Sequence, residues 1–294
     1  MLIKQDFSLK PYNTFGLDVV AHRLAIISST DELRQLYDDG ELNNNEILIL
    51  SKGSNILFKG NVTGVVLLNE IYGKKVVDEN DESIILKVSS GESWPDLVTF
   101  TVENGWGGLE NMTDIPGMVG AAPIQNIGAY GTELKDVMVS LEAFDLRTGK
   151  VVEFANSDCN FSYRNSIFKT THQNRYFITS VLVKLSKKPR INLSYKPLAE
   201  AFAGKLHDEI TIKDVSRKIS EIRNQKLPNP DKLNNAGSFF KNPIIDRSVL
   251  DKIKSNYPLI PSYPTDHEQY KLSAAWLIEQ CGWKGRREGN VGVY

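Results

Sequence analysis

The sequence predicts an α+β fold in which strands predominate. Two observations support this class. The first seventy residues alternate apolar strand-like runs with a helical stretch, and residues 70–188 contain mostly short β-branched runs. Amphipathic helical spacing dominates only after residue 190, and Lys187-Lys188-Pro189 is the best candidate for a linker. A chain of 294 residues is long enough for two or three domains.

The N-terminal region has the pattern of a β-α-β unit. Residues 19–27 and 46–50 are apolar and β-branched, which predicts two buried strands, and residues 64–68 predict a third. Between the first two, Ser29-Thr30-Asp31-Glu32 has the capping-box pattern that begins a helix. The turn Gly53-Ser54-Asn55 follows the second strand, at a place where converging backbone N–H groups can hold a phosphate.

This turn matches no standard nucleotide-binding motif. The P-loop pattern GxxxxGK[ST] does not occur in the sequence. Gly105, Gly107 and Gly108 have the wrong spacing for GxGxxG, and no predicted strand leads into them. Taken alone, an ordinary turn is therefore the simpler interpretation of residues 53–55.

The most informative segment is IPGMVGAAPIQNIGAYG at residues 115–131. Glycine lets the backbone approach a ligand closely or adopt positive φ, at an entropic cost that a plain connection has little reason to bear. The spacing of Gly117, Gly120, Gly128 and Gly131 therefore indicates main chain laid against a flat or phosphorylated ligand. An ordinary tight loop is the alternative.

The remaining regular elements are predicted by periodicity and turn residues. In the middle region they are a helix at 94–104 and strands at 74–78, 83–88, 137–145, 150–154 and 176–185. After residue 190 they are a helix that begins at Thr211 and further helices at 248–255 and 272–281.

Composition and charge exclude several functional classes. The 35 basic and 36 acidic residues give a net charge of −1 and are well mixed, so no basic footprint for nucleic acid is present. The apolar runs are too short to span a bilayer, and residues 1–16 lack the apolar core of a signal peptide. Cys159 and Cys281 lie far apart, which predicts two reduced, buried thiols in a cytoplasmic protein. The four histidines are isolated, so no metal site is predicted.

Two further segments contain residues suited to chemistry. Ser238 lies between Gly237 and two aromatic residues in AGSFFKNP (236–243), where a hydroxyl can donate a proton to a strongly basic carbanion. A hydrophobic loop in the core is the alternative there. Arg164 lies among aromatic and hydroxyl residues (161–166), and its guanidinium can hold a carboxylate or phosphate. A structural ion pair is the alternative for Arg164.

Together these segments resemble one family. The chain is similar to UDP-N-acetylenolpyruvoylglucosamine reductase, a flavoenzyme of peptidoglycan precursor synthesis, over nearly its whole length and in the family's order. The match is carried by residues 13–16, 53–55, 115–131, 163–169, 226–228 and 236–243. Ser262-Tyr263-Pro264 resembles the subtype that closes a tyrosine-bearing loop over its substrate.

The resemblance implies an FAD-binding fold of the vanillyl-alcohol-oxidase type. Two α+β subdomains, 1–69 and 70–225, would surround FAD, and a third, 226–294, would bind substrate. FAD would be held non-covalently, and NADPH would be the co-substrate without a dinucleotide domain of its own. The implied FAD contacts are Gly53, Ser54, Asn55, Ile115, Pro116, Gly117, Gly120, Gln125, Asn126, Gly128 and Ala129.

The resemblance also implies roles for site residues. Arg164 would stabilise the negative charge that develops on the substrate carboxylate when hydride reaches C3, and Ser238 would protonate C2. The positions that match substrate contacts are Tyr195, Lys226, Asn242, Tyr263 and Gln280. The expected protein is a cytoplasmic monomer that acts on a small sugar nucleotide and has no nucleic-acid or membrane partner.

One departure from the family pattern concerns the C-terminal end. The family carries a catalytic glutamate in a stretch beyond the equivalent of residues 289–294, where this sequence ends. The chain would then be a truncated form or a variant without part of its site, and we expect it to bind FAD but to turn over substrate slowly. Two other hypotheses stay open: another flavin oxidoreductase of the same fold, and a catalytically impaired fragment that binds flavin or sugar nucleotide.

Overall fold

The computed structural model describes residues 3–43, 46–230, 232–265 and 268–294. The chain divides into two compact units, Met1–Ala236 and Gly237–Tyr294. Mixed helix and strand content confirms the predicted α+β class, and the predicted strands and helices are present with small shifts at their ends. The division into three subdomains stays a prediction. Within the described ranges, no helix is long and apolar enough to cross a membrane.

The first sheet contains the predicted β-α-β unit. Its strands, in the order β1-β2-β4-β3, are β1 (Lys4–Ser8), β2 (Val20–Ile27), β3 (Ile47–Leu50) and β4 (Val62–Asn69). β2 and β3 both run parallel to β4, and α1 (Thr30–Asp38) connects β2 to β3. The Ser29 hydroxyl caps α1 by accepting a hydrogen bond from Glu32 N. The turn at residues 51–55 therefore lies at the carboxyl-terminal edge of the parallel strands.

The second sheet is antiparallel and five-stranded. Its order is β10-β9-β11-β6-β5, and a separate hairpin of two short strands precedes β9. The five strands of the sheet are β5 (Lys74–Glu79), β6 (Ser83–Ser89), β9 (Met138–Asp145), β10 (Lys150–Ala155) and β11 (Tyr176–Ser186), and the hairpin consists of β7 (Gly128–Ala129) and β8 (Thr132–Glu133). The helix α2 (Trp94–Glu103) packs Leu97 and Val98 into the core under this sheet. This core supports the glycine-rich segment, which follows α2 in the chain.

Two helices complete the first unit. α4 (Ile212–Lys226) has a capping box formed by Thr211 and Asp214, and its residues Val215 and Ile219 pack against α3 (Lys196–Ala201). The hydroxyl of Thr113 donates to Ser216 Oγ at 2.8 Å. That bond joins α4 to the chain immediately before the glycine-rich segment.

The second unit has a small core of its own, formed by Leu250, Ile260 and Leu272. Its elements are β12 (Ile244–Asp246), α5 (Arg247–Asn256), β13 (Ser262–Pro264), β14 (Gln269–Leu272), α6 (Ala274–Gln280), β15 (Arg287–Glu288) and β16 (Val291–Gly292). Cys159 is buried and Cys281 is exposed, and both thiols are free. The prediction of two buried thiols is therefore wrong for Cys281, which caps the C-terminal end of α6 instead of facing the core.

Candidate functional site

A cleft of about 400 Å³ opens beside the carboxyl-terminal edge of the first sheet. Three segments line it: the turn after β3, the glycine-rich segment, and residues 168–178 around the start of β11. Its volume lies within the range of roughly 300–1,000 Å³ that is typical of small-molecule sites. The lining contains these predicted cofactor residues: Gly53, Ser54, Asn55, Ile115, Pro116, Gly117, Gly120 and Gln125.

Close contacts require glycine at two positions of this lining. Gly53 has a φ of +57°, and a Cβ on it would lie 2.1 Å from the carbonyl oxygen of Tyr12. A Cβ on Gly120 would lie 2.6 Å from Ser90 Cβ. Both distances are far below a van der Waals contact, so no other residue fits without a shift of the backbone. These two glycines let the main chain of the cleft walls pack closely against Tyr12 and Ser90.

Polar side chains join the turn after β3 to the glycine-rich segment. Ser54 Oγ donates to the carbonyl oxygen of Pro116 at 3.3 Å, and Asn55 Nδ2 donates to Gln125 Oε1 at 3.3 Å. The same Gln125 oxygen accepts a bond of 3.4 Å from Lys169 Nζ. One amide therefore links all three walls at the rim of the cleft.

A buried polar pair that the sequence analysis missed lies at the base. Asn69 ends β4 and Ser90 follows β6, and their side chains exchange hydrogen bonds of 2.9 and 3.1 Å. Ser90 also accepts a bond from Gly120 N through its carbonyl oxygen. Both side chains are almost fully buried, so the pair holds the two sheets and the glycine-rich segment together at one point. Neither residue belongs to a motif, which is why no sequence signal identified them.

The third wall was also missed as a site. It contributes Phe168, Lys169, His172 and Tyr176, of which only Phe168 and Lys169 lie in a segment of the family match. Lys52 and Lys169 are cationic, whereas no carboxylate occurs among the described lining residues. The lining therefore favours an anionic ligand.

Three predicted cofactor residues lie outside the lining of the cleft. Asn126 is fully buried with φ of +45°; its amide donates to Glu133, and its oxygen accepts from Lys135 N. Gly128 and Ala129 form β7. In this structure Asn126 fixes the hairpin that follows the glycine-rich segment, and contact of these three residues with FAD stays a prediction.

Arg164 reaches the same hairpin from another direction. Its Nη2 donates to the carbonyl oxygen of Gly128 at 2.6 Å, and its guanidinium lies 5.5 Å from the ring centre of Tyr163. Its φ of +54° places it in the left-handed region that non-glycine residues seldom adopt. Arg164 takes part in no ion pair within the described part of the chain, so the structural ion pair considered above has no partner there.

A cluster of aromatic and basic groups adjoins this hairpin. The ring of Tyr195 meets the ring of Tyr130 edge-on, with centroids 5.1 Å apart. Burial raises the pKa of Tyr130, and the nearby Arg223 guanidinium offsets part of that shift. Lys226 lies with Arg223 in the last turn of α4. Sequence reasoning identified Tyr195 and Lys226 but not Arg223, which has no motif to distinguish it.

The other predicted residues belong to the second unit. Ser238 is exposed, and so are the neighbouring rings of Phe239 and Phe240, whose centroids lie 5.0 Å apart. The core-loop alternative for this segment is therefore wrong. Asn242 Oδ1 accepts a bond of 3.0 Å from Ala274 N at the start of α6. Tyr263 and Gln280 are exposed, on β13 and at the end of α6.

Comparison with known proteins covers both units. Residues 21–155 match the family described as FAD binding domain, and residues 229–294 match UDP-N-acetylenolpyruvoylglucosamine reductase, C-terminal domain. The chain is 42% identical over 295 residues to the UDP-N-acetylenolpyruvoylglucosamine reductase of Flavobacterium johnsoniae, covering 100% of this chain and 87% of that protein. It is 45% identical over 293 residues to the enzyme of the same name from Pseudomonas syringae pv. syringae, covering 99% and 86%.

A solved structure supports the same fold. The crystal structure of UDP-N-acetylenolpyruvylglucosamine reductase from Thermus caldophilus aligns with a TM-score of 0.67 at 23% identity, over 98% of this chain and 83% of that chain. With the FAD-binding match at residues 21–155, this confirms the FAD-binding fold.

Proposed function

The chain belongs to the UDP-N-acetylenolpyruvoylglucosamine reductase family, and we propose that it reduces UDP-N-acetylglucosamine enolpyruvate to UDP-N-acetylmuramate with FAD as cofactor and NADPH as hydride donor. The observation that carries the proposal is the cleft between the turn after β3 and the glycine-rich segment. These two segments were expected to hold FAD, and they face each other across a space of ligand size.

The residues of the cleft fit FAD. Gly53 and Gly120 allow a tight cradle of main chain, and Lys52 and Lys169 supply positive charge for a diphosphate in a lining without described carboxylates. Bound FAD supplies a hydride carrier between NADPH and C3 of the enolpyruvyl ether. The chain's own part is to hold the cofactor in the cleft and to exclude solvent from one side of it.

Two residues of the chain act on the substrate in this proposal. The Arg164 guanidinium opposes the negative charge that spreads from C2 into the carboxylate while C3 receives hydride. The Ser238 hydroxyl then gives its proton to C2, so that one hydride and one proton complete the reduction of the double bond. Tyr195 and the basic last turn of α4, which contains Lys226, suit the diphosphate of the sugar nucleotide. Asn242, Tyr263 and Gln280 are proposed as further substrate contacts.

Anaerobic stopped-flow absorbance tests the function. NADPH is expected to bleach the bound flavin, and the enolpyruvyl substrate is expected to restore its colour. The variant Ser238→Ala should keep the first step and slow the second by about 10²–10⁴-fold, because only the second needs a proton at C2. Ser248→Ala, in an exposed serine of the same unit, is the control and should change neither step. A flavin that NADPH does not bleach, or that the substrate does not recolour, would refute the proposal.

The cellular setting belongs to the same proposal. We propose a monomer in the cytoplasm, where both NADPH and the UDP-sugar occur. Its product would support cell-wall growth, cell shape and division. Fractionation of cells and sedimentation of the purified protein test location and oligomeric state. A stable dimer, or recovery outside the cytoplasm, would contradict these parts and leave the chemistry intact.

A further inference from the structure

We infer that Arg175 is a positioning residue for FAD: paired with Asp145, it fixes the third wall of the cleft, residues 168–178, and the turn that leads into it from Ser166, in the shape that receives the cofactor. The inference rests on the proposed function, because that function makes FAD the ligand of the cleft. It concerns two residues that belong to none of the matched motifs.

The pair is a forked, partly buried ion pair. Arg175 Nη2 donates to Asp145 Oδ2 at 2.7 Å, and Nε lies 3.3 Å from each carboxylate oxygen. The Asp145 side chain is only 3% exposed, and Arg147 N also donates to its Oδ1 at 3.0 Å. Burial acts to raise the pKa of Asp145, but the bonds from Arg175 and Arg147 outweigh it and lower the pKa. The carboxylate therefore stays charged and keeps the guanidinium in one orientation.

The guanidinium in turn contacts the wall of the cleft. It lies 4.9 Å from the ring centre of Tyr176, which lines the cleft. The Tyr176 ring lies 5.4 Å from the His172 ring and 6.2 Å from the Phe168 ring, and both of these residues also line the cleft. A shift of Arg175 would therefore move the surface that the cofactor meets.

The wall depends on its two ends because it has little regular structure between them. At the first end, the buried hydroxyl of Ser166 donates to the carbonyl oxygen of Ile124 at 2.7 Å, which joins the wall to the glycine-rich segment. Between Ser166 and β11 the chain forms only a 3₁₀ turn, Ile167–Lys169, and further turns. At the second end, Leu146 N donates to the carbonyl oxygen of Arg175, and the ion pair adds the side-chain anchor.

Titration of the apoprotein with FAD, followed by flavin fluorescence, tests the inference. Arg175→Met should weaken FAD binding at least about tenfold, which corresponds to about 1.4 kcal/mol. Arg175→Lys should fall between Met and wild type, because lysine keeps the charge but loses the fork. Asp145→Asn is the second variant and should also weaken FAD binding. The matched control is Lys87→Met, which breaks the 2.6 Å ion pair with Glu142 in the same sheet, away from the lining of the cleft.

Melting of each apoprotein separates positioning from stability. The variants at Arg175 and Lys87 are expected to lower the melting temperature, and only those at Arg175 to weaken FAD binding when measured well below it. Equal FAD affinity in Arg175→Met and wild type would overturn the inference and leave the proposed function standing. A loss of affinity of the same size in Lys87→Met would overturn it too. A wild-type chain that binds no FAD would instead refute the proposed function on which the inference rests.

Discussion

Replacement of Gly53 by alanine tests whether the turn after β3 holds the cofactor. The residue has a left-handed φ of +57°, and the new Cβ would lie 2.1 Å from the carbonyl oxygen of Tyr12 and 2.9 Å from Asn13 Cα. Asn13 cannot move aside cheaply, since it is buried and its amide donates to the carbonyl oxygens of Leu9 and Leu17. The turn, not its neighbour, is therefore expected to shift.

The size of the effect follows from that geometry. A left-handed conformation costs a residue with a Cβ roughly 1–2 kcal/mol, before any relief of the contact with Tyr12. If FAD binds only the native conformation of the turn, the variant must return to that conformation to bind, and the binding free energy is weaker by the same amount. A cost of one or two kcal/mol is a factor of about 5–30 in an equilibrium constant. Gly53→Ala should therefore raise the dissociation constant of FAD by about this factor and lower the free energy of unfolding.

The chain offers a matched control between the same two strands. Gly60 has no left-handed φ, and a Cβ on it would meet nothing within 4 Å, so Gly60→Ala should be neutral or stabilise the protein by up to about 1 kcal/mol. FAD titration of both apoproteins and urea unfolding of both would give the comparison. Equal FAD affinity in the two variants would show that the turn at Gly53 does not contact the cofactor, and the reasoning would be refuted.

Three further predictions follow from individual groups. Burial raises the pKa of Glu110, and the hydrogen bond from the backbone N–H of Gly108 partly offsets this shift. As pH rises above about 4, Glu110 loses its proton in the unfolded chain before it does so in the folded protein, so the free energy of unfolding should fall. Glu110→Gln should flatten this slope in urea unfolding; an unchanged slope would refute it. Burial, with Asp158 nearby, raises the pKa of Cys159 to about 12, so iodoacetamide should label exposed Cys281 alone in the native protein, as mass spectrometry would reveal. Acid precipitation should release all the flavin; colour retained in the pellet would show a covalent bond.

The elements that the sequence predicted depend on local pattern. The strands β3 and β4 are apolar runs bounded by turn residues, and the capping signal at Ser29 lies within three residues of its partner. The turn at Gly53 and the glycine-rich segment were identified because glycine has a conformational role that a sequence displays directly. This turn and the glycine-rich segment also carry the family resemblance, so the FAD-binding fold could be predicted from the sequence.

The features that the sequence did not reveal depend on contacts between distant residues. Asn69 and Ser90 meet because β4 and β6 end at the same place, and nothing near either residue in the chain indicates the other. In the sequence, Arg223 cannot be distinguished from any other basic residue at the end of a helix. Only the structure shows that it lies near Tyr130. For Cys281 a general rule gave a wrong prediction: cysteine usually lies in the interior, but Cys281 is exposed at the end of α6.

The third wall of the cleft shows how pairing between strands creates a site from residues without a motif. In the antiparallel ladder of β9 and β11, Tyr176 lies opposite Asp145, and this register brings Arg175 to the Asp145 carboxylate. A one-residue slip of β11 would reverse which side chains face the core, so the buried core under the sheet determines the register. Packing of Ile178 and Val181 in that core thus decides, through the ladder, where Tyr176 meets the cleft. The same sheet that stabilises the fold therefore sets the position of the wall against which we propose FAD to bind.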